Sequence, residues 1–284
     1  MSLATDTTDR REWGADFFGT LNEIPPEPVA LIGEVLEAMG TLPSFRDARL
    51  WMLQNLGLAQ GSSVIEAGSG NGAALPDVRS MVGANGRVVG IDPTTAFVEA
   101  ARGRAARLGT PNATYEVGDI RSIPRGDGEF AAAFCDKVLI HAGPAKAALS
   151  EMARVTRGGG RVGAIEWLPF FALSSSRPEL ADAFNAIFNK ALYDYPVSAN
   201  LARHFHAAGL TDVRTEAFLA HTDSLDSHPF WRAFIIAQMP LFVHAELIDE
   251  ATGNALVADL EQLNANGAFS ASFVVQAAVG TKPR

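Results

Sequence analysis

The run Val64-Ile65-Glu66-Ala67-Gly68-Ser69-Gly70-Asn71-Gly72 is the stretch of this chain best suited to hold a ligand. A β-rich run that ends in alternating glycines and opens into a helical pattern lets backbone approach a bound molecule where a Cβ would block contact. Carboxylates follow it in order. Asp92 closes the run Arg87–Asp92, and Asp119 stands in a Gly118-Asp119-Ile120 turn after a third β-rich run. Gly68, Gly70 and Ala73, with Asp92 about 20 residues on, satisfy the dinucleotide fingerprint G-x-G-x-x-A, so a nicotinamide-dependent oxidoreductase is one reading. Three features weigh against it. Glu66, two positions before the first glycine, suits a cationic amino group better than a pyrophosphate. The Asp119 turn adds a second carboxylate at the same edge, and the loop follows two helical stretches instead of opening the chain.

Proton chemistry has fewer candidates. His141 follows the fourth β-rich run, where ligands bind in open α/β folds, and imidazole titrates near neutrality, which makes it the candidate general base. Glu166, at the end of the fifth run, is similarly placed. His204 and His206 read as structural, while His221, His228 and His244 are scattered; with Cys135 the single cysteine, no metal site is expected.

These residues need a frame, and hydrophobic periodicity supplies it. Apolar positions at Val29, Ile32, Leu36 and Met39, then at Leu50, Leu53 and Leu56, recur at spacings of three and four, and Pro43 divides them into two helices. From Ser63 to Trp167 the apolar runs SVIEAG, RVVGID, ATYEVGD, FAAAFCD and GRVGAIEW alternate with helical patterns. Such runs suit strands buried on both faces, and their alternation predicts a doubly wound, mainly parallel, Rossmann-like α/β sheet of seven strands. A sixth strand is expected near Val213–Phe218, and the last run, FSASFVVQAAVGTK, reads as a strand returning to the sheet edge. The expected organisation is a helical segment and lid over 1–58, then an α/β domain over 59–284 with helical cap insertions at about 168–208 and 225–265.

The aromatic residues bear on what the site would accept. Trp13, Phe17 and Phe18 near the start, with Trp167 and Phe170 after the fifth run, are candidate walls of an acceptor pocket; Phe184 and Phe188, at helical spacing, read as core. A net charge of −9 disfavours a nucleic-acid partner. The polar opening MSLATDTTDRREWG lacks the apolar core of a signal peptide, and the Trp231–Ile248 stretch carries too many polar residues to cross a bilayer. A cytoplasmic monomer or homodimer without membrane contact is the expectation.

Taken in order, VIEAGSGNG, VVGIDPT, VGDI, FCDKVLIHAG and EMARVTRGGG resemble the motif set of class I S-adenosylmethionine-dependent methyltransferases, closest in style to the ubiquinone/menaquinone-biosynthesis and small-molecule branch. The resemblance covers roughly residues 45–167 and lies in the order of motifs more than in any one of them. It implies S-adenosylmethionine as cofactor and S-adenosylhomocysteine as product. Gly68, Ser69, Gly70 and Gly72 would line its methionine and ribose part, Glu66 would hold its amino end, and Asp92 would accept both ribose hydroxyls. Pro93, Gly118, Asp119 and Ile120 would surround the adenine. Cys135, Asp136 and Lys137 would approach the methionine portion, whose carboxylate Arg49 or the nearby Arg46 would pair. The function implied is O-, N- or C-methylation of a small, aromatic or polyketide-like metabolite. A non-methylating cyclase or binding protein on the same fold is the other alternative.

Overall fold

The computed structural model describes residues 20–191 and 197–284. Trp13, Phe17 and Phe18 lie outside the described residues. Among the described residues the first two long elements are the helices α1 (Pro26–Thr41) and α2 (Pro43–Asn55). Each begins with proline, whose fixed φ and missing N–H suit a first helical turn. Leu42 between them is extended, as a residue before proline prefers, so Pro43 stops one helix and starts the next.

The sheet is then built from β1 (Ser63–Ala67), β2 (Arg87–Asp92), β3 (Ala113–Val117), β4 (Phe130–Asp136) and β5 (Thr156–Trp167), all parallel in the order β3-β2-β1-β4-β5. Between them run α3 (Leu75–Val82), α4 (Thr95–Arg107) and α5 (Ala145–Val155). Helix α4 packs on β2 and β3, α5 on β4 and β5, and α2 on β5 and the strands beyond it. Covered strands need apolar residues on both faces, which is why β1, β2 and β4 are almost wholly buried whereas β3, at the edge, is not.

Strand order reverses between β1 and β4, and a crevice opens outside the carboxyl ends of the strands at such a point. The glycine loop after β1, Asp92 at the end of β2 and the turn after β4 all emerge there.

Two features depart from the sequence expectation. Among the described residues the sheet has eight strands, because a two-residue β6 (Ala172–Leu173) pairs with β8 (Ala271–Thr281) beyond the end of β5. The final strand does not return to the edge: β8 lies antiparallel between β5 and β7 (Thr211–Thr222), and β7 forms the edge. Alternate residues of β8 from Ala271 to Val275 are buried and Ala277–Gly280 are all buried, as an interior strand requires, while most of β7 is exposed.

The rest is helical: α6 (Pro178–Ala191), α7 (Leu201–Ala207), a broken helix made of α8 (Pro229–Trp231), a π-helical stretch Arg232–Ala237 and α9 (Met239–His244), and then α10 (Glu250–Ala265). Trp167, Phe171, Phe188, Phe234 and Phe273 stack edge-to-face and face-to-face at centroid distances of 4.9–6.0 Å, tying α6 and the broken helix to the end of the sheet. Among the described residues no helix is long and apolar enough to cross a membrane.

Candidate active site

Two cavities share a wall over the carboxyl ends of the strands. The first, about 190 Å³, is lined by the glycine loop, by Asp92 and Pro93, by Asp119–Arg121 and by Asp136–Val138. The second, about 570 Å³, lies between α1, Trp167, α6 and the broken helix. Leu36, Lys137 and His141 belong to both walls.

The glycine loop is folded back on β2. Gly68 and Ser69 both donate their N–H to the Ile91 carbonyl at 2.8 Å, and Gly72 donates to the Ser69 carbonyl at 2.9 Å. Gly70 donates to Asp92 Oδ2 at 2.8 Å, while Thr94 N–H donates to Oδ1 at 2.9 Å. Gly68 has φ +78°, and a Cβ there would fall 2.4 Å from Val138, so only glycine fits. A pyrophosphate-binding loop offers outward backbone N–H groups. Here those of Gly68, Ser69, Gly70 and Gly72 are satisfied internally, which disfavours the dinucleotide reading.

The carboxylates differ in state. Glu66 is buried, Oε2 has no hydrogen-bond partner, and burial, with the nearby Asp136 charge, pushes its carboxyl up to about 8. Burial also raises Asp92, against the pull of its backbone donors. Asp136 is the reverse case: burial works to raise it, but Lys137 Nζ at 2.6 Å and Arg49 Nη1 at 3.2 Å hold it below the usual range. Asp119 is likewise held low against partial burial, because Arg121 grips both its oxygens at 2.7–3.0 Å.

An unpartnered buried carboxyl in a cavity wall fits a cationic amino group, and a second carboxylate with lone pairs to spare fits vicinal hydroxyls. Glu66, Asp92, the glycine loop and Asp119–Ile120 are therefore the residues that would hold an aminoacyl-nucleoside ligand. Burial gives a proton-linked expectation. At pH 7 Glu66 is mostly protonated, and an ammonium beside it would draw its pKa down. Binding should then release up to about one proton and strengthen from pH 6 toward pH 8, flattening as an α-amino group itself loses its proton at about 7.7–8.0. Calorimetry in buffers of different ionisation enthalpy reads this release, and Glu66→Gln should remove it.

Several predicted residues stand elsewhere. Arg49 does not line either cavity: it is buried behind Asp136, bound also to Asp77 at 2.8 Å and to the Gly40 carbonyl at 2.9 Å. Arg46 is exposed. Cys135 is fully buried on the β4 register between Phe134 and Asp136, outside both cavity walls, with burial pushing its thiol up. Gly72 and Gly118 support the walls without lining them; Gly118 N–H donates to the Asp92 carbonyl at 3.1 Å. Glu166 is sealed beneath the turn after β4, accepting from Leu139 N–H at 2.6 Å, and burial pushes it to about 8. Trp167 lines the larger cavity, whereas Phe170 is 53% exposed and Phe171 points inward in its place. The alternation continues past β5 without a shift, Trp167, Pro169 and Phe171 being buried and Phe170 exposed between them. His141 lines both cavities, and burial pushes its imidazole down to about 4.

Sequence reasoning missed the apolar wall. Ile32, Val35, Leu36 and Met39 on α1, and Phe234 and Phe242 across from them, line the larger cavity. Their helical spacing reads as core packing, and part of that stripe faces open space instead. Among the described residues no group of three His, Cys, Asp or Glu side chains could hold a metal ion.

Residues 64–160 match the family described as "Methyltransferase domain". A curated relative, an uncharacterized 37.1 kDa protein in transposon TN4556 of Streptomyces fradiae, is 37% identical over 45% of this chain, and the match spans only 36% of that relative's length. Demethylmenaquinone methyltransferase of Beutenbergia cavernae is 32% identical over 58% of this chain and 73% of its own length. Among solved structures the YcgJ protein of Bacillus shares the fold with a TM-score of 0.59 at 17% identity, covering 84% of this chain and 99% of that one.

Proposed function

Since the chain belongs to the class I S-adenosylmethionine-dependent methyltransferases, we propose that it methylates a small apolar metabolite held in the larger cavity. The observation that carries this reading is the shared wall: the cleft that fits the family's cofactor has Leu36, Lys137 and His141 in common with an apolar chamber about 570 Å³ in size. When bound, S-adenosylmethionine supplies a methyl group already activated on a sulfonium, so neither a metal nor a covalent enzyme intermediate is called for.

The protein's own work is placement and proton handling. Glu66 and Asp92 fix the cofactor's amino and ribose ends, and the Gly68–Gly72 loop excludes water along one side. Trp167, Phe188 and Phe234 present flat apolar faces to the acceptor. Holding two reactants in line is the largest effect available to such a site. His141, kept neutral by burial, is able to take a proton from an acidic acceptor at any pH above about 4. With cofactor saturating, so that Glu66 does not limit binding, the acid limb of the rate should therefore lie near pH 4 instead of near the ordinary imidazole value. His141→Ala should leave cofactor affinity within about threefold while slowing transfer by roughly 100-fold or more. An unchanged rate would make His141 structural.

The reading is tested by incubating the protein and S-adenosylmethionine with apolar phenols, enols and quinols, following S-adenosylhomocysteine and methylated product. Product that appears only with an acceptor present is the expected result. Tight cofactor binding with no acceptor consumed across the set would count against methyl transfer.

A further inference from the structure

We propose, building on that reading, that the acceptor presents an ionised oxygen on its apolar skeleton and that Lys137 is the group that receives it. The composition of the chamber points this way. Among the described residues its ionisable lining is Lys137, His141 and His244, with no Asp or Glu. Among these residues an ammonium-bearing acceptor has no counter-charge, whereas an anionic oxygen has a fixed cation at the wall shared with the cofactor cleft.

Lys137 is set up for this task. Its side chain is 10% exposed, its Nζ lies 2.6 Å from Asp136 Oδ1 and 4.8 Å above the centre of the Phe45 ring, so the ammonium is held in one place by a carboxylate and an aromatic face. An ammonium has three donors, and the single Asp136 oxygen leaves capacity for a further acceptor. The other acidic side chains near Lys137 are Glu66 and Glu166. Glu66 lines the cofactor cleft and Glu166 lies outside both walls, so neither puts negative charge on the chamber surface.

The backbone carries an independent sign. Lys137 has φ +65°, a left-handed conformation that costs a side-chain-bearing residue, and its N–H is anchored to the Ile165 carbonyl at 2.7 Å. Glycine would adopt this turn without strain. A lysine kept there in the wall common to two cavities is strain of the kind that collects at ligand sites.

The test uses three probes of one skeleton, 2-naphthoate, 2-naphthol and 2-naphthylmethylammonium, titrated at pH 7 into protein saturated with S-adenosylhomocysteine. Saturation keeps cofactor affinity out of the comparison. The expected result is that naphthoate binds at least about tenfold tighter than the ammonium probe, that Lys137→Met removes that preference while neutral naphthol binds within about twofold of before, and that Lys137→Arg restores part of it. Equal binding of the three probes, preference for the ammonium, or an unchanged preference in Lys137→Met would overturn the assignment. So would failure of every probe to bind while S-adenosylhomocysteine binds, which leaves the cofactor reading standing. No binding of S-adenosylhomocysteine to the unaltered protein would overturn both. The charge preference of the unaltered protein is informative even if Lys137→Met does not fold.

Discussion

Asp92→Ala is expected to weaken S-adenosylmethionine and S-adenosylhomocysteine binding by about 30-fold or more, the largest single loss of affinity in the cleft. The carboxylate closes the glycine loop through Gly70 N–H and the turn after β2 through Thr94 N–H, both at 2.8–2.9 Å. The Thr94 side chain also bonds the carboxylate, whose remaining accepting capacity would go to the ribose hydroxyls. Hydrogen bonds to a charged group contribute about 1.5–3 kcal/mol each, and each 1.4 kcal/mol is tenfold in affinity, so losing two ligand contacts easily reaches about 2 kcal/mol. The substitution also leaves two backbone donors unpaired at the cleft. Isothermal titration calorimetry of Asp92→Ala and the unaltered protein with S-adenosylhomocysteine reads the change; an affinity within twofold of the original would remove Asp92 from the ribose site.

The second large effect concerns stability. Arg49 joins α2 to three places at once: Asp77 on α3, Asp136 at the end of β4, and the Gly40 carbonyl near the end of α1. Both its side chain and that of Asp136 are nearly inaccessible, at 3% and 6%. Removing one partner of a buried pair leaves an uncompensated charge and costs about 3–5 kcal/mol. Lys137 still pairs with Asp136, which places Arg49→Met at the lower end, about 3 kcal/mol. For a domain of this size that is a drop in Tm of roughly 6–12 °C. Arg46→Met, on the exposed side of the same helix, should change Tm by little. Thermal unfolding of the two variants separates the residues that sequence alone left as alternatives. If Arg49→Met kept its Tm and lost cofactor affinity tenfold, the methionine carboxylate would return as its partner.

What the sequence made legible is what depends on neighbours along the chain. Strand, glycine loop and helix lie within a few residues of one another, so the loop and the carboxylates after β2 and β3 are visible as local pattern. Arg49 is different: its partners lie 9, 28 and 87 residues away, and nothing in its helical surroundings distinguishes a cofactor ligand from a buried strut. The chamber is harder still, because an apolar stripe on α1 has the same spacing whether it faces core or cavity. Phe170 and Phe171 differ at one-residue scale: the period-2 alternation that buries Trp167 continues and buries Phe171, so Phe170 faces outward. The insertion of β8 between β5 and β7 is a long-range pairing choice, and only its doubly buried pattern, spread over alternating small residues, hints at an interior strand.

The central claim is that the cleft over β1, β2 and β4 is built for S-adenosylmethionine. The most direct test is calorimetric titration of the purified chain with S-adenosylmethionine, S-adenosylhomocysteine and NADH side by side. Micromolar binding of the first two and none of the third is the expected result; binding of NADH alone would contradict the account and make the glycine loop a dinucleotide site after all.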